Sequence, residues 1–166
     1  GPLVDFYGRT FSYRQMHAEA RAFAAGLQRL GIAKGDRVGL FLPNVPIYIP
    51  AYFGAMIAGA TAVNFSPLYT AEELEAQVVD SGTRLIVTLD APALLPTAIK
   101  VLRESPLERL IVGHLAQMLP FAMSWGLRLF RRGFGEARTA QMDRVVRALK
   151  AQRKRGLVDR QGVLPI

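Results

Sequence analysis

The stretch Gly59–Glu75, GATAVNFSPLYTAEELE, joins a strand signal to a helix signal through a short turn. TAVNF is a compact apolar run of the kind found in strands that lie inside a core. Ser66 and Pro67 interrupt it. Thr70 followed three positions later by Glu73 is a capping box, in which each side chain accepts a hydrogen bond from the other residue's backbone N–H. The stretch therefore predicts one strand–turn–helix step.

The same step recurs on both sides of this stretch. Other short apolar runs typical of buried strands are VGLFL (38–42), RLIVT (84–88) and RLIVG (109–113), and helix patterns separate them. Strands that alternate with helices predict an α/β fold with a mostly parallel, helix-covered sheet. A small hairpin around Gly8 and Arg9 is predicted to precede the sheet.

Two helices are predicted before the quoted stretch and one after it. The first starts after Ser12, with Gln15 reaching back to complete a capping box, and ends at Gly31. The second is apolar on nearly every side, and because a proline beyond the first turn removes a hydrogen bond, regular helix is predicted only from about Pro50. The third covers 93–103. The apolar stripe of the first helix comprises Tyr13, Met16, Ala20, Phe23, Ala24, Leu27 and Leu30.

The positive charge of the chain is concentrated in its last third. Residues 1–112 contain 10 Lys and Arg against 10 Asp and Glu, whereas residues 113–166 contain 11 against 3, which accounts for the net charge of +8. We therefore expect two parts, a neutral α/β subdomain (1–112) and a basic segment (113–166), with different surroundings. The chain has no cysteine and no secretory signal, so a cytoplasmic location is expected. The ending GVLPI, with no predicted strand or helix, indicates a truncated end.

The chain contains none of the short motifs that carry nucleotide or hydrolase chemistry. G-x-G-x-x-G, G-x-x-x-x-G-K-[ST] and G-x-S-x-G are all missing from the sequence. His17 and His114 stand far apart, so surface or hydrogen-bonded histidines are favoured over metal ligands. Glu72, Glu73 and Glu75 are interpreted as a solvated first helical turn rather than as acid–base catalysts. Tyr48, Tyr52, Phe53 and Met56 are predicted to pack in the core.

Five short motifs follow one another in the first part of the chain. They are Thr10-Phe11-Ser12-Tyr13, Gly35-Asp36-Arg37-Val38, Leu42-Pro43-Asn44, Phe53-Gly54 with Ala58-Gly59, and Pro67-Leu68-Tyr69-Thr70. In the order and spacing of these motifs, the chain resembles the N-terminal region of the adenylate-forming enzymes, and specifically of long-chain fatty-acid CoA ligases, over about residues 5–112. The resemblance implies the N-terminal subdomain of the acyl-CoA synthetase fold. For Tyr48, Tyr52, Phe53 and Met56 it offers an alternative to core packing, the lining of an acyl tunnel in the complete enzyme.

The same resemblance implies an enzyme that uses ATP and Mg²⁺ to convert a fatty acid to an acyl adenylate, from which CoA displaces AMP. The family's phosphate loop, ribose carboxylate and catalytic lysine lie further along the chain, so the resemblance assigns no catalytic, cofactor-binding or metal-binding residue here. This part alone is expected to be inactive and to bind none of these cofactors. The alternative is a stand-alone module that binds a membrane surface or a protein.

The basic segment is predicted to form two amphipathic helices. One contains Pro120 in its first turn and is too short and too polar to cross a bilayer. The other runs over about 136–155. Two kinds of binding partner remain possible for these helices. One is an anionic membrane surface, contacted peripherally from the cytoplasmic side. The other is protein, either the rest of the chain or a second copy in a homodimer. Nucleic acid is disfavoured because aromatic residues do not alternate with the basic ones in the second helix. The candidate contact residues are Phe121, Trp125, Arg128, Leu129, Arg131, Arg132, Arg144, Arg147 and Lys150.

Overall fold

The computed structural model describes residues 1–120 and residue 123, together with the backbone of 163–165. Its strands are β1 (Pro2–Phe6), β2 (Arg9–Ser12), β3 (Arg37–Phe41), β4 (Thr61–Phe65), β5 (Leu85–Leu89), β6 (Arg109–Gly113) and β7 (Val163–Pro165). Its helices are α1 (Tyr13–Arg29), α2 (Tyr48–Ile57), α3 (Ala71–Ser81), α4 (Leu95–Glu104) and α5 (Leu115–Met118). The alternation of strands and helices confirms the predicted α/β class.

The strands form two sheets. β1 and β2 pair antiparallel as the predicted hairpin, and the others form a parallel sheet in the order β4-β3-β5-β6-β7. In the centre, Leu40 pairs with Asn64 on one side and with Val87 on the other. The sequence predicted no strand near the C-terminus, and this was wrong: β7 pairs with β6, with Val163 opposite Leu110. Three residues are too few to show a periodicity, so only the pairing reveals this strand.

The helices cover both faces of the sheet. From β3 the chain passes to β4, and from β4 it returns across β3 to β5, so right-handed crossovers place α2 on one face and α3 and α4 on the other. α1 packs beside α2, and α3 beside α4. β5 lies in the middle, and all of its residues are buried. β4 is more exposed than the sequence predicted, since Thr61 and Asn64 reach solvent.

α1 is amphipathic, and its buried residues are Met16, Ala20, Ala24 and Leu27. Ser12 caps it by accepting a hydrogen bond from the Gln15 N–H, as predicted. The reciprocal half of the box does not form. The Gln15 side-chain NH2 group donates to Glu19, one turn further along. Tyr13 was predicted to join the apolar stripe but is largely exposed, since it stands at the first position of the helix beside the hairpin. Gly31, with φ of +79°, follows the end of the helix as predicted.

α2 begins two residues earlier than predicted, at Tyr48 rather than about Pro50. Pro50 lies in the first turn, where a backbone N–H has no partner within the helix, so the proline removes no hydrogen bond. Ala51, Gly54 and Ala55 face the interior. Phe53 and Met56 lie on the opposite side with 52% and 54% of their surface exposed, so their predicted core packing was wrong. A helix that is apolar all round need not be buried all round.

α3 has the capping box that the sequence predicted. Oγ1 of Thr70 accepts from the Glu73 N–H at 3.2 Å, and Oε2 of Glu73 accepts from the Thr70 N–H at 2.8 Å. Leu74 and Val78 are the buried residues of this helix. The strand–turn–helix step of the quoted stretch is thus present with the predicted chemistry.

Candidate functional site

The carboxyl edge of the parallel sheet is where ligands bind in open α/β folds. β3 and β5 are neighbours, but the chain leaves them for helices on opposite faces, so it diverges between their carboxyl ends. Ligands bind in the crevice outside such a divergence point. The residues that follow the strands at this edge are Ser66 after β4, Leu42 after β3, Asp90 after β5 and His114 after β6.

Asp90 and His114 connect the ends of β5 and β6. Oδ2 of Asp90 lies 3.2 Å from Nδ1 of His114, and Oδ1 accepts a 2.8 Å hydrogen bond from the Leu115 N–H. The Asp90 N–H also donates to the carbonyl of Gly113 at 3.0 Å. These bonds fix the orientation of the imidazole ring. His114 is therefore the hydrogen-bonded histidine that the sequence favoured.

A cleft of about 620 Å³ opens beside this pair, on the face of the sheet that α1 covers. We call it the α1 cleft. It lies between the hairpin, α1, the loop that leads into α2, and the end of β6 with α5. Its apolar wall consists of Phe11, Phe23, Leu27, Leu30, Pro46, Ile47, Pro50, Ile111 and Met118. A predominantly apolar cleft of this size is within the range of small-molecule sites, roughly 300 to 1,000 Å³.

Polar side chains of the α1 cleft are few. The Arg9 guanidinium donates to the carbonyl of Gln117 and lies 4.9 Å from the centre of the Phe11 ring. Glu19 accepts from Gln15, and Arg29 stands exposed in the last turn of α1. With His114, these residues supply two fixed positive charges, one negative charge and one titratable ring.

The amino edge of the sheet carries a different polar cluster. Arg84, just before β5, donates two hydrogen bonds to the Glu108 carboxylate, at 2.7 and 3.0 Å, and one to Oδ2 of Asp36 at 2.7 Å. The Ala33 N–H and then Arg84 hold the pKa of Asp36 below its usual value. Arg84 lowers the pKa of Glu108, and both carboxylates raise the pKa of Arg84. Because every group is already paired, this cluster fastens strands together rather than awaiting a ligand.

Two of the acidic residues at the start of α3 make structural contacts, of which the sequence predicted the capping role of Glu73. Glu73 belongs to the capping box, and Glu72 pairs with Lys100 of α4. The hydrogen bond from Lys100 lowers the pKa of the exposed Glu72 carboxyl and raises the pKa of Lys100. Glu75 adds a third acid on the same helix, partly exposed.

The remaining candidates from the sequence lie outside the lining of the α1 cleft. His17 is exposed on α1, far along the chain from the Asp90–His114 pair. Tyr48 donates to Asn64 at 2.7 Å and stacks on Tyr52. Both rings are partly buried and pack against the core, as the sequence predicted for these two residues. Within residues 1–120, no group of three or more His, Asp or Glu side chains could hold a metal ion.

The candidate contact residues of the basic segment lie outside the described residues. This holds for Phe121, Trp125, Arg128, Leu129, Arg131, Arg132, Arg144, Arg147 and Lys150, and for both predicted basic helices. In the part of the chain that is described, no helix combines the length and the apolar character that a membrane span requires.

Sequence reasoning missed both the Asp90–His114 pair and the α1 cleft. The pair had a detectable signal, since a polar residue directly follows each of two apolar runs, LIVTL and RLIVG, and parallel strands bring such positions to one edge. The α1 cleft had no detectable signal in the sequence. Its walls come from four separate parts of the chain, and their residues read as ordinary core positions.

Comparisons of the sequence with known proteins all indicate the same family. The sequence model of the AMP-binding enzymes matches residues 2–128. The long-chain-fatty-acid CoA ligase of Bacillus subtilis is 38% identical over 118 residues, which cover 71% of this chain and 21% of the relative. The long-chain-fatty-acid CoA ligase of Salmonella typhimurium is 40% identical over 122 residues, with 73% and 21% covered. The chain thus spans about a fifth of the length of these curated relatives.

Solved structures agree with the sequence comparisons. The fatty acyl CoA synthetase of Mycobacterium tuberculosis superposes with a TM-score of 0.57 at 32% identity, over 62% of this chain and 21% of that protein. This likeness agrees with the N-terminal subdomain of the acyl-CoA synthetase fold that the sequence predicted. The matched residues, 2–128, make up most of the chain, and the chain belongs to the AMP-binding enzyme family.

Proposed function

We propose that this chain is the N-terminal part of a CoA ligase that activates a fatty acid with ATP. In the proposed reaction the fatty-acid carboxylate forms an acyl adenylate with release of pyrophosphate, and the CoA thiol then displaces AMP to give the thioester. The observation that supports it is the identity of 38% and 40% with two long-chain-fatty-acid CoA ligases over 118 and 122 residues.

The described residues do not fit ATP or Mg²⁺. A triphosphate site needs backbone N–H groups or cations that face the phosphates. At the carboxyl edge of this sheet, the Leu115 N–H is already bonded to Asp90, whose carboxylate would repel a phosphate. The α1 cleft is mainly apolar. We therefore derive no chemical step for these residues and assign ATP, Mg²⁺ and CoA to the complete protein.

The contribution of this part is a scaffold. The buried central strand, the Arg84 cluster at one edge and the Asp90–His114 pair at the other fix the strand ends on which the rest of the domain is built. We propose the division given by the charge distribution, with residues 1–112 as the α/β subdomain and 113–166 as a basic segment.

The test compares this chain with the complete protein to which it belongs. We expect the complete protein to consume palmitate and CoA and to release AMP when ATP and Mg²⁺ are present. The 166-residue chain should release none, and isothermal calorimetry of it with ATP and Mg²⁺ should show no saturable heat. Release of AMP only with an aromatic acid would contradict the fatty-acid assignment. Saturable ATP binding by the 166-residue chain would contradict the scaffold role.

A further inference from the structure

The outer side of α2 exposes more apolar surface than a helix beside water normally does. Phe53, Met56 and Ile57 have 52%, 54% and 51% of their surface exposed, and they follow one another closely along the helix. None of the 10 residues of α2 is charged. A helix that borders water presents polar side chains on its outer side, whereas a helix that is apolar all round is buried. The outer side of α2 therefore has the composition of a covered surface.

β4 forms an open edge of the parallel sheet beside this helix. Among the described strands it pairs with β3 alone, in regular register from Thr61 opposite Arg37 to Phe65 opposite Phe41. Edge strands of soluble proteins are normally protected from further pairing by charged side chains, proline or a bulge. The strand TAVNF has no charged residue and no proline, and its pairing has no bulge. Its outward N–H and C=O groups can therefore pair with a further strand.

Side-chain contacts join the edge of β4 to the outer side of α2. The Tyr48 hydroxyl donates to Asn64 of β4 at 2.7 Å, and the Tyr48 ring stacks on Tyr52 with 6.2 Å between the ring centres. The Tyr52 ring in turn meets Phe53 edge to face at 5.5 Å. Helix and strand thus form one continuous surface, which we call the α2–β4 surface. It comprises Tyr48, Tyr52, Phe53, Met56, Ile57 and Asn64.

The chemistry of the α2–β4 surface favours polypeptide over lipid as its partner. An edge strand pairs with regularly spaced N–H and C=O groups, which another strand offers and lipid chains do not. With 10 residues, α2 is too short to cross a bilayer. It also has no Lys or Arg that would attract the headgroups of an anionic membrane.

The remainder of the complete protein is the polypeptide best placed to cover this surface. The chain spans only 21% of the length of its curated relatives. A segment on the same polypeptide meets the surface at a much higher effective concentration than a separate molecule does.

We infer that a segment of the complete protein, C-terminal to this chain, covers the α2–β4 surface. It pairs as a strand with the open edge of β4 and packs apolar side chains on Phe53 and Met56. This inference rests on the proposed function, in which the chain is the N-terminal part of a longer enzyme.

Thiol labelling tests the helical half of the surface, because the chain has no cysteine of its own. Phe53→Cys is introduced into the 166-residue chain and into the complete protein, and its reaction with a maleimide is followed by mass spectrometry of the peptide that contains residue 53. We expect the reaction to be at least tenfold slower in the complete protein. Arg103→Cys, on the exposed side of α4, is the matched control and should react at the same rate in both.

Hydrogen exchange tests the strand half without any substitution. The β4 amides that are not bonded to β3 should exchange at nearly their intrinsic rates in the 166-residue chain, because they have no partner there. In the complete protein a further strand should slow their exchange at least tenfold. An amide without a partner exchanges freely however stable the fold is, so this gain in protection reports the pairing itself.

The double substitution of Phe53 and Met56 by Ser should lower the unfolding temperature of the complete protein and leave that of the 166-residue chain unchanged. Val79→Ser is the matched control. Val79 is 56% exposed on α3, between the exposed polar residues Gln77 and Asp80, and its substitution should change neither unfolding temperature.

Three outcomes would overturn the inference. The first is an equal rate of labelling at residue 53, or equal exchange in β4, in the two proteins. The second is slow labelling that appears in the 166-residue chain as its concentration rises, because a second copy would then cover the surface. The third is protection of the complete protein only when lipid vesicles are added. Release of AMP with palmitate tests the proposed function separately, since it does not depend on which segment covers α2 and β4.

Discussion

Thr88 carries the one buried side-chain polar atom among the described residues that has no hydrogen-bond partner. It lies in β5, fully buried, opposite Val112 of β6. An unsatisfied buried hydroxyl costs about 1 to 3 kcal/mol because it loses its hydrogen bonds to water and gains none. Thr83 provides the contrast. It is also buried, but its hydroxyl lies 2.8 Å from that of Ser81.

Thr88→Val is therefore expected to raise the free energy of unfolding by about 1 kcal/mol, because it removes the orphaned hydroxyl and keeps the branched shape. Thr83→Val should lower the free energy of unfolding by a similar amount, since it leaves Ser81 without that partner. Urea unfolding followed by circular dichroism measures both. A loss of stability in Thr88→Val would show that the hydroxyl has a partner in solution.

At the scale of elements, the packing of α1 on α2 depends on Gly54. A Cβ at this position would lie 2.8 Å from the Ala20 carbonyl oxygen, closer than real Cβ contacts come. The two helices would have to move apart. Gly54→Ala gains helix propensity, but overpacking in a core typically costs about 1 to 3 kcal/mol.

We expect Gly54→Ala to lower the free energy of unfolding by about 1 to 2 kcal/mol. Gly26→Ala is the matched control, because it makes the same change within the neighbouring helix where there is room, and it should raise stability. Thermal unfolding of the two variants measures both changes in stability. Equal effects would mean that propensity, and not the helix contact, governs both positions.

The Arg84 cluster joins the amino ends of β3, β5 and β6 and makes the stability depend on pH. Asp36 and Glu108 have lowered pKa values in the folded chain, so the unfolded chain binds more protons in acid. Their contribution is complete above the unfolded pKa values, roughly 4, and is lost as the pH falls through the lower folded values. The side chains of Arg84 and Glu108 are more than a third exposed, so solvent limits the contribution to about 1 kcal/mol.

Arg84→Met should lower the free energy of unfolding at pH 7 by no more than about 1 kcal/mol and should flatten its dependence on pH below pH 5. Lys100→Met is the control, because its partner Glu72 is highly exposed and contributes little. Urea unfolding between pH 3 and pH 7 gives both curves. If the free energy of unfolding of Arg84→Met fell as steeply with decreasing pH as that of the unaltered chain, Arg84 would be excluded as the cause of the pH dependence.

At the scale of the whole molecule, charge separates a neutral α/β part from a basic segment. Several Lys and Arg near an anionic membrane surface contribute about 1 kcal/mol each, and salt screens this attraction. Residues 113–166 carry 11 basic and 3 acidic side chains, enough for reversible attachment. We propose that this segment binds anionic membrane surfaces.

The chain is expected to sediment with anionic vesicles at low salt and to stay in solution at high salt or with neutral vesicles. Replacing Arg144, Arg147 and Lys150 together by Gln should reduce the sedimented fraction, because three positive charges are lost. Failure to sediment even at low salt would exclude electrostatic attachment and leave protein as the surroundings of this segment.

The sequence by itself determined the local structure of the α/β part. The hairpin at Gly8, the cap at Ser12, the capping box at Thr70 and the strands RLIVT and RLIVG all depend on interactions within a few residues, which the sequence displays directly. Motif order also gave the family, because spacing along the chain is itself a sequence property.

Only the tertiary structure decided which apolar residues are buried, where Pro50 falls in its helix, and which distant parts meet. Phe53 and Ala51 read alike in the sequence, but only Ala51 faces α1 and the sheet. The α1 cleft, the Asp90–His114 pair and the Arg84 cluster join residues from separate turns of the chain. Their geometry depends on strand order and register, and local periodicity specifies neither.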